Sequence, residues 1–250
     1  GAQRIRANEK RLGFNIPWTV LFQLDPVRSP EHLAQYDRVI QEGEPLGIYC
    51  WMLLSHSDPL ALFPLMERHP DSAFFLFCRS EDLTAAVLDE MSSLRHLMPV
   101  VRWDDSVGDA CGLLRSARLP YSVYCPYSRA DVPAILRGDL FFEFQQLHPL
   151  FTVLAARPDC PADLQELVHQ SAVQVRNGQS YQTVPWELSC DTRSLDEIIS
   201  DDACCAFFDA QGHLFAPDCP DHVPLGNLFE EGLASLLGQA YPKSAQISSK

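Results

Sequence analysis

The stretch richest in chemistry runs from Ala203 to Leu233, ACCAFFDAQGHLFAPDCPDHVPLGNLFEEGL. Cys204 and Cys205 stand ahead of one short run, AFFDAQ, and Cys219 closes a second, HLFAPDC. With Gly212 between them, the two runs read as a β-hairpin. Its outer ends lie side by side, which brings Cys204 or Cys205 near Cys219. Two thiolates at the open end of a hairpin begin a metal site, and Cys190 is a candidate third ligand. An iron–sulfur cluster prefers four thiolates, a number reached here only if both adjacent cysteines take part, which adjacent residues do poorly. Zinc accepts mixed ligands: Cys219 and His222 are three residues apart, and His213 is nearby. Holding no metal carries equal weight, with the thiols as small buried groups and the two histidines as surface residues of turns.

A second set of polar residues lies where apolar runs end: Asp25, Asp104, Asp105 and Glu143, with His56 beside them. Enzymes of the α/β class build their sites at strand ends. Acids there also cap the following helix, and capping is the expected role of each. His148, before Pro149, reads as structural. The sequence holds no GxxxxGK[ST] phosphate loop, GxGxxG turn, GxSxG elbow or HExxH helix, and no CxxC.

These residues need elements to hold them. Residues 1–16 read as a solvated leader that gathers Arg4, Arg6, Lys10 and Arg11. Residues 17–160 alternate apolar runs with helix-like segments. The runs are Trp18 to Leu24, Gly47 to Leu54, Ala73 to Cys78, Met98 to Trp103, Tyr121 to Cys125 and Leu140 to Phe144. Helices are expected over Ser29 to Ile40, from Pro59 to before Pro70, and over Glu81 to Leu94, Ser106 to Ala117 and Asp131 to Leu136. Runs apolar on both faces and alternating with helices call for a parallel sheet with right-handed crossovers. Residues 161–185 read as a linking helix, Ala162 to Val175, and a loop. Residues 186–238 form a small loop-rich region, and 239–250 a flexible tail.

The C-terminal segment resembles the SPASM or twitch extension of radical S-adenosylmethionine (SAM) peptide-maturing enzymes. There a cysteine precedes a glycine-turn hairpin with a proline-cysteine end, and a Leu-Gly-Asn-Leu run leads into a helix. The matching residues are Cys205, Gly212, Pro217 with Cys219, and Leu225-Gly226-Asn227-Leu228. The glycine-to-cysteine gap is longer than usual, and no cysteine follows Cys219, so the resemblance allows one cluster at most. It also implies the fold: an α/β partial (β/α)6 barrel, radical-SAM-like, with a small C-terminal hairpin region. In that family the first strand ends in CxxxCxxC, which holds the [4Fe–4S] cluster that cleaves SAM. Here it ends in Leu24-Asp25-Pro26-Val27-Arg28-Ser29, without a cysteine. The glycine-rich loop after the second strand is replaced by Ser55-His56-Ser57-Asp58-Pro59-Leu60. Gly43-Glu44-Pro45-Leu46 has the right letters but precedes that strand. The resemblance therefore implies a protein without SAM chemistry of its own.

Composition narrows the partners. A net charge of −14 argues against nucleic acid and anionic membranes and permits a basic peptide. No run of about 18 apolar residues marks a membrane span. Nine scattered cysteines in a chain that is 46% apolar suit a reducing cytoplasm better than a secreted disulfide framework. The expected function is a noncatalytic partner of an active radical SAM enzyme, of its precursor peptide, or of both. The alternatives are an iron–sulfur or zinc-holding accessory that uses the cysteines, and an unrelated α/β enzyme that uses the strand-end acids.

Overall fold

The computed structural model describes residues 1–24, 29–55, 58–200, 204–215 and 223–243. Asp25, His56, Cys219 and His222 lie outside the described residues. The chain divides into two compact units: Gly1–Met52 with Arg193–Lys250, and Leu53–Thr192.

The first unit opens with α1 (Ala2–Leu12), which closes on Gly13 at φ 79. The expected leader is therefore a packed helix, with Ile5 and Glu9 each 1% exposed. Its charged composition hid it, because only Ile5 and a buried acid face inward. Glu9 accepts the Ile16 N–H at 2.8 Å and pairs with Lys243 Nζ at 3.0 Å. The expected tail is thus tied down as far as Lys243. β1 (Thr19–Gln23) follows, with Val20 and Phe22 buried. α2 (Ser29–Leu46) continues past Ile40, so Gly43-Glu44-Pro45-Leu46 forms its last turn. Gly43 is required there: a Cβ would lie 2.5 Å from the Trp51 ring. Trp51, on β2 (Cys50–Leu54), stacks on Phe22 with centroids 5.8 Å apart, both fully buried. Such ring pairs contribute about 0.5–1.5 kcal/mol beyond burial.

β2 carries the chain into the second unit. A 3-10 turn at Pro59–Leu62, capped by Asp58, leads to α3 (Phe63–Glu67). There follow β3 (Ala73–Cys78), α4 (Ala85–Met91), β4 (Leu97–Arg102), α5 (Val107–Ser116), β5 (Ser122–Tyr127), α6 (Val132–Arg137) and α7 (Asp139–Gln145). β6 (Phe151–Ala156), α8 (Ala162–Gly178) and β7 (Val184–Glu187) complete it. The strands lie in the order β3-β4-β5-β6-β7. Every neighbouring pair is parallel, so all five strand C-termini share one edge. Strictly sequential order is the single winding of a barrel; a doubly wound sheet reverses direction. The expected α/β class with parallel strands is what the structure shows.

The sixth run, Leu140 to Phe144, is not a strand. It is α7, with Phe141 and Phe144 fully buried and Phe142 60% exposed. Burial three apart is the helical period; the phenylalanines alone suggested β structure. The sixth strand is Phe151–Ala156, paired with β5 from Val123↔Thr152 to Tyr127↔Ala156.

α9 (Leu188–Ser200) returns the chain to the first unit, where loops were expected. Its buried positions include Asp191, Thr192, Asp196 and Ser200, so no apolar stripe announced it. β8 (Ala206–Phe208) pairs parallel to β1, and β9 (His213–Phe215) antiparallel to β8. β10 (Gly226–Asn227) adds antiparallel to β9, giving β10-β9-β8-β1-β2. α10 (Leu233–Ala240) buries Leu233, Leu236 and Leu237. The glycine-turn hairpin, the Leu-Gly-Asn-Leu run and the helix after it therefore occur in the expected order. Among the described residues no helix is long and apolar enough to cross a membrane.

Candidate functional site

The shared edge of strand C-termini in the second unit carries two polar sites. The first is a cavity of about 270 Å3 where β4, β5 and β6 end, lined by Arg102, Trp103, Cys125, Asp131, Ile135 and Arg157 among others. Arg102 is the last residue of β4, and Arg157 follows β6 directly. Neither guanidinium makes a hydrogen bond or ion pair to a described residue. Trp103 forms one wall, fixed edge-on against Phe144 at 4.6 Å. Asp131 is already engaged: its carboxylate accepts the Ser128 N–H at 2.7 Å and hydroxyl at 2.8 Å. The Ser128 N–H, then its hydroxyl, hold the Asp131 carboxyl below its ordinary value. Burial pushes the Cys125 thiol up to about 11, so it stays protonated at neutral pH. Two guanidinia beside an indole, with Arg157 also acting on the Asp131 carboxylate, suit an anionic, partly apolar ligand.

The second site lies where β5 and β7 end. Tyr127 and Glu187, the last residues of those strands, are both fully buried, and the phenol donates to the carboxylate at 2.9 Å. Glu187 also accepts the Cys190 N–H at 2.7 Å. Burial raises the Glu187 carboxyl, an effect the Cys190 N–H and the Tyr127 hydroxyl partly offset. Asp191 accepts the Glu187 N–H at 2.8 Å and takes both terminal nitrogens of Arg176, at 2.9 and 3.3 Å. His169 Nε2 completes this shell 3.2 Å from Asp191. His169 and Arg176 are seven residues apart on α8, two turns along one face, so one acid meets both. Glu166 lies one turn before His169 on that helix, with its carboxylate 3.9 Å from His169 Nδ1. The donor atoms of Glu166, His169 and Cys190 all lie within 4.8 Å of one another.

Cys190 thus keeps company with Glu166 and His169. Cys204 and Cys205 belong to the first unit. Cys204 is fully buried, with Sγ 3.3 Å from the Ser200 hydroxyl. The Cys205 carbonyl accepts the Tyr241 hydroxyl at 2.8 Å, and its thiol is raised strongly by burial and next by Asp196. Asp196 itself is raised to about 6 by burial, with the Cys205 thiol and the Trp18 N–H opposing. His213 is held by Asp209, which accepts the His213 N–H at 2.8 Å and lies 3.2 Å from its Nδ1. Asp209 also accepts the Gln211 N–H at 2.9 Å, closing the turn on Gly212. Cys204 and Cys205 immediately precede β8 (Ala206–Phe208). Their expected partners Cys219 and His222 lie outside the described residues.

Among the described residues, the strand-end acids Asp104, Asp105 and Glu143 form no metal-binding group. Asp104 accepts the Ser106 N–H at 3.0 Å in the turn before α5, Asp105 is exposed in the same turn, and Glu143 is exposed on α7. Sequence reasoning missed Arg102, Arg157, Glu166, His169, Glu187 and Asp191. The Glu166-x-x-His169 spacing was a usable signal, since residues three apart share a helix face. The radical SAM cluster needs three thiolates after β1. Residues 24–49, between the end of β1 and Cys50, contain no cysteine, so they do not fit it.

No protein-family model matches the chain. No curated protein matches it. Solved structures do. Streptococcus suis SuiB aligns at TM-score 0.66 and 9% identity, over 94% of this chain and 69% of SuiB. SuiB bound to its precursor peptide SuiA aligns at 0.62 and 9%, over 99% and 70%. Native anSMEcpe with bound AdoMet and the Cp18Cys peptide aligns at 0.55 and 10%, over 91% and 81%. Both are radical SAM/SPASM-family proteins, and at this identity what the chain shares with them is the fold.

Proposed function

We propose that this protein is a noncatalytic, peptide-binding partner in peptide or protein modification, working beside an active radical SAM enzyme. The observation that carries the reading is a radical-SAM/SPASM fold over nearly the whole chain, joined to a first strand followed by no thiolate. Reductive cleavage of SAM needs a cluster-bound open iron, and the residues after β1 supply no ligand for one. The SuiB and anSMEcpe structures hold peptides, which supports a peptide as the ligand kept here. Arg102 and Arg157 would take a peptide carboxylate, with Trp103 against an apolar neighbour. A reducing cytoplasm suits the nine thiols.

Two measurements test this. Fluorescence anisotropy with a labelled acidic peptide should show binding to the full chain. Arg102→Ala and Arg157→Ala should each weaken it by roughly 10- to 100-fold, since a hydrogen bond to a charged group contributes about 1.5–3 kcal/mol. Protein loaded with iron and sulfide under anaerobic conditions should release no 5′-deoxyadenosine from SAM. Its release would sink the noncatalytic reading, and binding indifferent to both arginines would sink the peptide site.

A further inference from the structure

We infer that Glu166, His169 and Cys190 bind a zinc ion, leaving a fourth position for water or a ligand. This inference is independent of peptide binding. It starts from the tautomer of His169. Nε2 faces the Asp191 carboxylate at 3.2 Å, which favours the tautomer with its proton on Nε2 and leaves Nδ1 as the atom that could coordinate. That Nδ1 is buried and hydrogen-bonded to nothing among the described residues. Buried polar atoms are almost always satisfied, so an orphan aimed at two further donors points to a ligand.

Those donors are the Glu166 carboxylate and the Cys190 thiol. Zinc bonds of about 2.0–2.3 Å in a tetrahedron place ligand atoms roughly 3.3–3.8 Å apart. The Glu166–His169 pair already stands at 3.9 Å, and the whole group falls within 4.8 Å. Glu166 is exposed and can swing inward. Cys190 is buried in the first turn of α9, a 13-residue helix, with its thiol also within reach of the Glu187 carboxylate, and metal binding would release the thiol proton. Two anionic ligands neutralise a divalent ion, while Asp191 is balanced separately by Arg176.

The outer arrangement is that of a built site. Metal-bound imidazoles commonly give their other N–H to a carboxylate, which fixes ring orientation and strengthens the ligand. Asp191 does this here, and is itself held by Arg176 and by the Glu187 N–H. The donor set selects the metal. One thiolate, one imidazole and one carboxylate suit zinc, whereas magnesium and calcium take oxygen alone. Three protein ligands are the number found where zinc keeps an open position.

The test uses the full chain, stripped by a chelator and titrated with Co2+ and then Zn2+. One equivalent of Co2+ should bind with a thiolate-to-cobalt charge-transfer band and the intense d–d bands of a tetrahedral ion. Zn2+ should bleach both. Cys190→Ala should abolish the charge-transfer band, and His169→Ala and Glu166→Gln should each weaken uptake by about tenfold or more. Glu166→Gln lies on the surface and leaves the fold intact, so its effect reads the site alone; circular dichroism checks the other two. No band in the parent protein overturns the inference. So does a band that survives Cys190→Ala, or one lost on Cys204→Ala in its place.

Discussion

Asp196→Asn probes the buried polar face of α9 most directly. Asp196 is fully buried, its Oδ1 accepts the Trp18 N–H at 3.1 Å, and its carboxyl is raised from 3.8 to about 6, chiefly by burial. The folded protein therefore keeps this proton where the unfolded chain has lost it. Stability falls as pH rises between those two values and is lowest above the folded one. Two units at 1.36 kcal/mol each come to about 3 kcal/mol, undiscounted because the group is shielded from solvent. From about pH 5 to about pH 8 the change still to come is about 1.4 kcal/mol. Asparagine keeps the acceptor for Trp18 and cannot titrate. The assay is urea unfolding of both proteins at several pH values, followed by tryptophan fluorescence. The parent's stability minus the variant's should fall by about 1.4 kcal/mol over that range, which is about 3–6 °C in Tm. Other titrating groups cancel in the difference. A difference flat to within about 0.5 kcal/mol, or one that rises, refutes the reasoning.

Tyr127→Phe removes the phenol that donates to buried Glu187 and should cost about 1.5–3 kcal/mol by denaturant midpoint; no loss would mean the carboxyl is satisfied without it. Gly212→Val forces a branched residue to φ +81 and sets a Cβ 2.7 Å from the Phe229 ring. It should cost about 1–3 kcal/mol and speed amide exchange in the β8–β9 hairpin; unchanged exchange would place the strain elsewhere.

What could be read in the sequence was local. The β/α alternation was plain because strands apolar on both faces, such as AFFLFC, differ from the helices between them. The hairpin was legible because Gly212 and its flanking runs lie within a few residues of each other. Even there, period competed with propensity: LFFEF read as a strand until the burial of Phe141 and Phe144 showed a helix.

Tertiary structure decided the rest. α9 escaped notice because its buried face is polar, and a polar face leaves no hydrophobic period to detect. Cys190 was grouped with Cys204, Cys205 and Cys219 by nearness in sequence. The fold instead sets it beside Glu166 and His169, 24 and 21 residues earlier, because α8 leads into β7 and the β7–α9 turn points Cys190 and Asp191 back at that helix. Arg102 and Arg157 share a cavity only because β4, β5 and β6 run parallel and end at one edge. Apolar periodicity is written along the chain and can be read there. The pairing of buried polar groups depends on distances in space, which only the packed sheet and helices fix.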